Sequence, residues 1–243
     1  MKTILLGWFF FMLLLIESSA EVCSVALARL DAAIISVWEF EDAKSHSEYL
    51  TVMIEALLKA LALEKTEIKA IAVAIGPGSY TGLRIGLSVA KGLAYALSCP
   101  LIAAPTLNAL ANAAQKLFIF QNIDEWVFIP MLDARRMEVY YTIIDPSGNV
   151  DAPPIAEVVD NTFFEKLPCQ KKWCFVGNGA HKVSPFIKEL QLSEPIILSL
   201  PCSARFLAEL ALDKYHNQAF EDIYSLEPVY LKSFSTTKPK PKL

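Results

Sequence analysis

An almost unbroken apolar run from Ile4 to Ile16 opens the chain, followed by the small residues Ser18, Ser19 and Ala20. That pattern has two readings. One is a secretory signal peptide, with Lys2 before the run and a cleavable Ser-Ser-Ala after it. The other makes Leu13 to Ile16 a first buried strand, with Met12 as the functional start and residues 1–11 as an N-terminal extension. The run is too short for a comfortable membrane span, which needs about 20 residues. Val22 to Ala28 and Ala33 to Phe40 are β-branched and partly alternating, so with Leu13–Ile16 they predict an antiparallel meander.

Helical spacing begins next. Ser45 with Glu48 fits a capping box, and Leu50, Ile54, Leu57, Leu58 and Leu61 recur on one face. Ala70 to Ile75 is wholly apolar, as a strand buried on both faces would be. A tight loop, Gly76-Pro77-Gly78-Ser79-Tyr80-Thr81-Gly82, leads into a helix from about Thr81 to Leu97. Pro100 to Ala104 predicts another buried strand, and Thr106 a cap for a helix from Leu107 to about Lys116. In the second half, Trp126–Leu132 and Met137–Ile144 predict strands joined by Asp133-Ala134-Arg135-Arg136. Asp145-Pro-Ser-Gly-Asn is a turn signal. A short helix at Phe163–Leu167, strands at Trp173–Val176 and Pro195–Leu200, and a last helix capped by Ser203 complete the pattern. The tail from Thr236 is polar and proline-rich. The economical architecture is two α/β lobes with a boundary near residues 105–125.

Composition narrows the function classes. The 243 residues are 54% hydrophobic and 20% charged, which supplies a large core and excludes a disordered chain. The net charge of −4 argues against a chain that grips nucleic acid tightly by itself. Five widely spaced cysteines do not read as a disulfide framework, and no second close pair follows Cys169 and Cys174 to make a zinc site.

Candidate chemistry is sparse. The glycine loop is neither GxxxxGK[ST] nor GxGxxG, so a structural or interface role outweighs phosphate binding. Gly82, Gly86, Ala90 and Ala94 lie four apart and make a smooth helix face. It suits either the chain's own sheet or a partner's helix. His46, His181 and His216 stand singly, without metal-ligand spacing. Ser79 is not in a GxSxG elbow, because Pro77 stands in the first glycine position. Glu17 and Glu21 could act as acid and base, but their place at the end of the first strand favours turn or lobe packing. Asp133-Ala-Arg-Arg reads as a charged hairpin turn or as an anion-facing, inter-lobe element.

Gly76-Pro-Gly-Ser-Tyr-Thr-Gly-Leu-Arg-Ile-Gly, with Ala90-Lys-Gly-Leu-Ala after it, resembles the signature of the TsaB family. The likeness runs from about Met12 to Lys232. It includes Ile16-Glu-Ser-Ser with Cys23-Ser-Val-Ala-Leu, His46-Ser-Glu-Tyr-Leu, Asp133-Ala-Arg-Arg-x-Glu-Val-Tyr and Pro228-Val-Tyr-Leu-Lys. The resemblance implies a two-lobed actin/Hsp70/sugar-kinase-like α/β fold, each lobe a mixed sheet flanked by helices. The N-terminal lobe is expected over residues 12–110, the C-terminal lobe over 111–232 and a mobile tail over 233–243.

The resemblance also implies a non-catalytic subunit with no metal or cofactor of its own. It would pair with TsaD, the catalytic subunit, and be joined by the ATPase TsaE; ATP and Mg²⁺ serve those partners. The complex would transfer a threonylcarbamoyl group to adenosine 37 of ANN-reading tRNAs, with tRNA reached through the complex. The implied partner-binding residues are Leu50, Ile54, Leu57, Gly82, Leu83, Arg84, Gly86, Leu87 and Ala90. The structural loop is Gly76, Pro77, Gly78, Ser79 and Thr81, and Asp133, Arg135 and Arg136 are inter-lobe. Alone, the chain could pair with a second copy. A cytoplasmic, membrane-free protein beginning near Met12 is expected, because the tRNA substrate is cytoplasmic. On this reading Gly86→Leu would weaken partner association more than stability. Glu17-Ser-Ser-Ala-Glu lacks the glycine of a phosphate turn, which puts tight ATP binding in doubt. The rival is a sugar- or acetate-kinase-like phosphotransferase of the same fold, with Asp133 as its candidate Mg²⁺ carboxylate. A metalloprotease would need ligands that the sequence does not offer.

Overall fold

The computed structural model describes residues 11–41, 46–118, 122–189 and 195–232. Ser45 and the tail therefore lie outside the described residues, as does most of the N-terminal extension. In chain order the first lobe is built from β1 (Met12–Glu17), β2 (Val22–Arg29), β3 (Ile34–Glu41), α1 (His46–Ala60), β4 (Ile68–Ala74), α2 (Tyr80–Leu97) and β5 (Leu101–Ala104). They form a five-stranded sheet in the order β3-β2-β1-β4-β5. β2 and β3 are antiparallel to their neighbours, as short turns require, whereas β4 and β5 run parallel to β1 through helical crossovers.

β1 is the central strand, and its sequence shows why. All six residues are buried. Met12, Leu14 and Ile16 join the core under α1 and α2, while Leu13 and Leu15 join the core on the opposite face. A continuous apolar run with no polar alternation is what a strand covered on both sides needs.

α3 (Thr106–Leu117) lies between the two sheets. Ala109 belongs to the first lobe's core, whereas Ala111 and Ala114 pack against Trp126 and Phe128 of the second. The second sheet has the order β10-β9-β6-β7-β8. Its strands are β6 (Trp126–Asp133), β7 (Glu138–Tyr141), β8 (Ile155–Val158), β9 (Lys172–Val176) and β10 (Ile196–Leu198). On its outer face Phe163 and Phe164 of α4 (Asn161–Glu165) pack with Val183, Phe186 and Ile187, the last two from α5 (Ser184–Glu189). The layers run α1/α2, first sheet, α3 with α6 (Ala208–His216), second sheet, α4/α5. This is the expected two-lobed α/β architecture, each lobe a mixed sheet flanked by helices.

Several sequence expectations need correction. β8 and α5 were not foreseen, because Ile155–Val158 is half-exposed and Ser184–Glu189 spans under two turns. β7 ends at Tyr141 rather than Ile144, which makes only isolated bridges to Phe128 and Val150. Thr106 is the first helical residue of α3 with Pro105 before it, so it is not the cap. Ser203 makes no side-chain cap bond; its hydroxyl donates to Glu39 instead. The last helix is a 3-10 turn, Ala204–Leu207, followed by α6 (Ala208–His216). Both return to the first sheet, where Ala204, Leu207, Ala208 and Ala211 pack under β1, β2, β4 and β5. The chain beyond about Ser203 thus leaves the C-terminal lobe expected over 111–232, because its apolar stripe completes the first sheet's second face.

Candidate functional site

The glycine loop is shaped by what lies beneath it. Gly76 sits at φ +104°, which glycine tolerates and L side chains rarely adopt, and the Gly76–Pro77 peptide is cis. A Cβ on Gly78 would lie 2.2 Å from the Ser19 carbonyl oxygen. Ser79 N–H donates to that same oxygen at 2.6 Å, and Thr106 N–H donates to Gly76 O at 3.0 Å. The Ser79 hydroxyl then accepts from Gly82 N–H at 3.2 Å and caps α2. The loop's polar groups therefore hold the β1–β2 turn and α3 to the start of α2, and Thr81 follows at the exposed outer edge.

The small-residue face of α2 continues this contact. A Cβ on Gly82 would lie 2.1 Å from Ser18 O, and one on Gly86 2.1 Å from Ser18 Oγ. The Ser18 hydroxyl donates to Gly82 O at 2.9 Å. Leu83, Leu87 and Ala90 are buried in the same direction, and Leu50, Ile54 and Leu57 of α1 are core residues. The physical reason offered for Gly82, Gly86 and Ala90, close approach of a partner's helix, is therefore corrected: that face is occupied by this chain's own β1–β2 turn and sheet. Of the nine expected partner-binding residues, only Arg84 is exposed. The outward faces hold Tyr49 and Val52 on α1 and Tyr95 on α2, the last 68% exposed.

The C-terminal segment crosses α2. Val229 N–H donates to Ile75 O at 2.8 Å. Arg84 Nε donates to the Tyr230 hydroxyl at 3.0 Å, and its guanidinium lies 4.3 Å from the Tyr80 ring centre. Farther along the segment, the Lys232 ammonium donates to Ala134 O at 3.0 Å and pairs with Glu138. It thus ties the first lobe to the β6–β7 turn.

Between the lobes, Leu107 and Leu110 of α3 pack with Leu132 and Cys202, flanked by Ala20, Tyr140 and Leu200. The junction is an apolar contact. Glu17 lies beside it, 1% exposed, with Oε1 accepting Ser19 N–H at 2.6 Å. Burial pushes its carboxyl up to about 7, against the opposing bonds from Ser19 and Ser18. Glu21 is exposed, so the two carboxyls of the imagined acid–base pair have unlike environments.

Asp133, Arg135 and Arg136 come together in the β6–β7 turn. Asp133 Oδ1 accepts from Lys182 Nζ at 2.7 Å and from Arg135 N–H at 2.5 Å. Partial burial pushes the Asp133 carboxyl up, but these donors outweigh it and hold the group below the usual carboxylate range. Lys182 is itself only 6% exposed and also donates to Glu138 O at 2.9 Å. Sequence reading missed Ser18, Lys182, Tyr230 and Lys232 as anchors. Their partners lie 64, 49, 146 and 98 positions away in the chain, so no local pattern marks them.

Comparison with known proteins agrees with the loop and the fold. The family model of TsaD, tRNA N6-adenosine threonylcarbamoyltransferase, matches residues 41–194. The tRNA threonylcarbamoyladenosine biosynthesis protein TsaB of Haemophilus influenzae is 30% identical over 239 residues, spanning 94% of this chain and 97% of that protein. The TsaB of Escherichia coli is 28% identical, spanning 94% of this chain and 98% of that protein. The solved structure of YeaZ from Pseudomonas aeruginosa superimposes with a TM-score of 0.73 at 26% identity, covering 90% of this chain and 99% of that one. The two five-stranded sheets and these near-full-length matches lead to one conclusion: the chain belongs to the TsaB family of tRNA threonylcarbamoyladenosine biosynthesis proteins.

Proposed function

We propose that this chain is a non-catalytic scaffold and activator in the synthesis of threonylcarbamoyladenosine on tRNA. It pairs with a TsaD-type catalytic subunit, with a TsaE-type ATPase joining the pair, and the complex modifies adenosine 37 of ANN-reading tRNAs in the cytoplasm. ATP and Mg²⁺ act on the partners, and this chain needs no cofactor of its own. The observation that supports a non-catalytic role is the lobe junction. Leu107, Leu110, Leu132 and Cys202 fill it, Glu17 is enclosed against the backbone, and Asp133 is bound to Lys182. A kinase-like phosphotransferase needs a carboxylate free to hold Mg²⁺ in that cleft, and the engagement of Glu17 and Asp133 by this chain's own groups argues against that rival. Its mark would be strong ATP-dependent thermal stabilisation.

The partner surface we assign is the outer side of α1 and α2, where Val52 is 56% and Tyr95 68% exposed. Large exposed apolar side chains on adjacent helices suit a protein interface. The same side would pair two copies when the catalytic subunit is absent. No helix among the described residues is long and apolar enough to cross a membrane. The test is reconstitution: TsaD-type and TsaE-type subunits, donor-forming enzyme, ATP, threonine, bicarbonate and tRNA, with and without this chain. Modification is expected to require the chain, and Val52→Glu with Tyr95→Glu should abolish co-elution with the catalytic subunit while leaving the melting temperature unchanged. Equal modification without the chain would refute the role.

A further inference from the structure

We propose that the outer edge of β3 pairs with β3 of a second copy of this chain, antiparallel about a two-fold axis at Trp38, so that the two first sheets join into one.

β3 is an end strand of its sheet and pairs with β2 alone among the described residues. In an antiparallel ladder alternate residues turn their N–H and C=O away from the neighbour, so the outer side of β3 presents backbone groups that another strand can take up. The opposite end strand, β5, has such a partner: Glu221 bridges to it, and the Glu221 N–H donates to Leu101 O at 2.9 Å. Edge strands are commonly kept short or guarded by lysine, proline or a bulge. β3 is eight residues long and contains neither Lys nor Pro. A bulge stands only at its start, where Leu27 pairs with Ser36 and Ala28 with Ile34, leaving Ile35 as the extra residue. From Ser36 onward the ladder is regular.

The regular part has two unlike faces. Ser36, Trp38 and Phe40 pair with Leu27, Val25 and Cys23, which belong to the core under α1. Trp38 and Phe40 nevertheless stay exposed, and Phe40 lies against Tyr49 of α1 with 4.6 Å between ring centres. Val37 and Glu39 face the other way. Val37 packs with the core on that side, and Glu39 is held by Arg205 and Ser203.

Symmetry and charge select the occupant and the register. Antiparallel pairing about an axis normal to the sheet keeps each face on its own side and sets like-facing residues opposite. Glu39 and Glu41 are the charged residues of β3. A parallel alignment in register sets each beside its own copy. An antiparallel axis at Glu39 or Phe40 opposes glutamate to glutamate, and one at Val37 runs Glu39 into the bulged Ile35. With the axis at Trp38, Trp38 meets its copy, Phe40 meets Ser36 and Glu39 meets Val37, so no like charges are opposed. The pairing then spans Ser36 to Phe40 on both copies and stops at the bulge. Trp38 and Phe40 of the two chains form one cluster at the axis, with a Tyr49 behind each Phe40. Aromatic side chains at the centre of an interface carry much of its binding energy.

The experiment uses the full chain carrying Tyr95→Glu, which blocks pairing through the outer side of α2, and reads oligomeric state by analytical ultracentrifugation. This chain is expected to sediment as a dimer. Adding Trp38→Lys places a charge at the axis and should weaken the dimer by roughly tenfold or more, with an unchanged melting temperature showing that the variant folds. Cross-linking reads the register and does not depend on that variant. With Cys169→Ser removing the exposed thiol, Trp38→Cys should give a disulfide-linked dimer under mild oxidation, because opposed Cα atoms lie about 5 Å apart. Glu41→Cys should not link, since its two copies would stand about 20 Å apart along the antiparallel strands. A chain that stays monomeric overturns the proposal. So does a dimer that tolerates Trp38→Lys, or one in which Trp38→Cys stays unlinked or Glu41→Cys links as readily.

Discussion

Glu17 shows how one side chain can tie stability to pH. Its sequence neighbours mark only the end of a strand, whereas burial at 1% exposure moves its carboxyl from an ordinary 4.5 to about 7. A carboxyl that keeps its proton longer in the folded state than in the unfolded one favours folding at low pH. Its contribution is full below about 4.5, falls as pH rises and is lost above about 7. The range corresponds to about 3 kcal/mol. Glu17→Gln keeps an oxygen to accept the Ser19 N–H and removes the charge. The variant is expected to match wild type near pH 4.5 and to exceed it increasingly between pH 5 and 7.5, measured as urea midpoints. Parallel pH curves would show that Glu17 is not the buried titrating group.

At the scale of the element, α2 separates two kinds of glycine. Gly86 meets Ser18 Oγ at 2.1 Å from an ideal Cβ, whereas Gly92 is exposed with nothing within 4 Å. Gly86→Leu would drive a bulky side chain into the β1–β2 turn and should cost about 3 kcal/mol or more. Loss of folded protein, rather than selective loss of partner binding, is the expected result. Gly92→Ala should raise stability by about 1 kcal/mol, because a mid-helix glycine there has only an entropic cost. Thermal melts of the two variants test both at once; similar shifts in one direction would contradict the packing described. Sequence pattern found α2 and its smooth face. It did not reveal which way the face points, since a four-residue repeat of small side chains is the same whether sheet or partner lies against it.

For the whole molecule, β1 holds the decisive place. It pairs with β2 on one side and β4 on the other, so every other strand of the first sheet is joined through it. A chain beginning at Glu21, as cleavage after Ala20 would leave, lacks that strand and should show no cooperative melt. One beginning at Met12 should melt cooperatively. A cooperative transition in the shorter chain would mean that the first sheet assembles without its centre. At the same scale, residues 204–230 run back over the first lobe, and Lys232 reaches the second lobe's turn. The lobes are thus fastened by α3, the apolar junction and this returning segment.

The apolar periods along the chain were enough to predict the meander, α1, α2, β4, β5, β6 and β9, because burial on one or both faces leaves a repeat of two, of about 3.6 or of none at all. The glycine loop also declared itself, since Gly76, Pro77 and Gly78 stand together only where the backbone must turn tightly. Direction and partnership were decided by tertiary structure. The inward turn of Gly82 and Gly86, the capture of Asp133 by Lys182, the shift at Glu17 and the return of α6 to the first sheet all depend on groups brought together from distant parts of the chain. A sequence records which residues will be buried or polar; which of them meet is fixed only when the sheets close around α3.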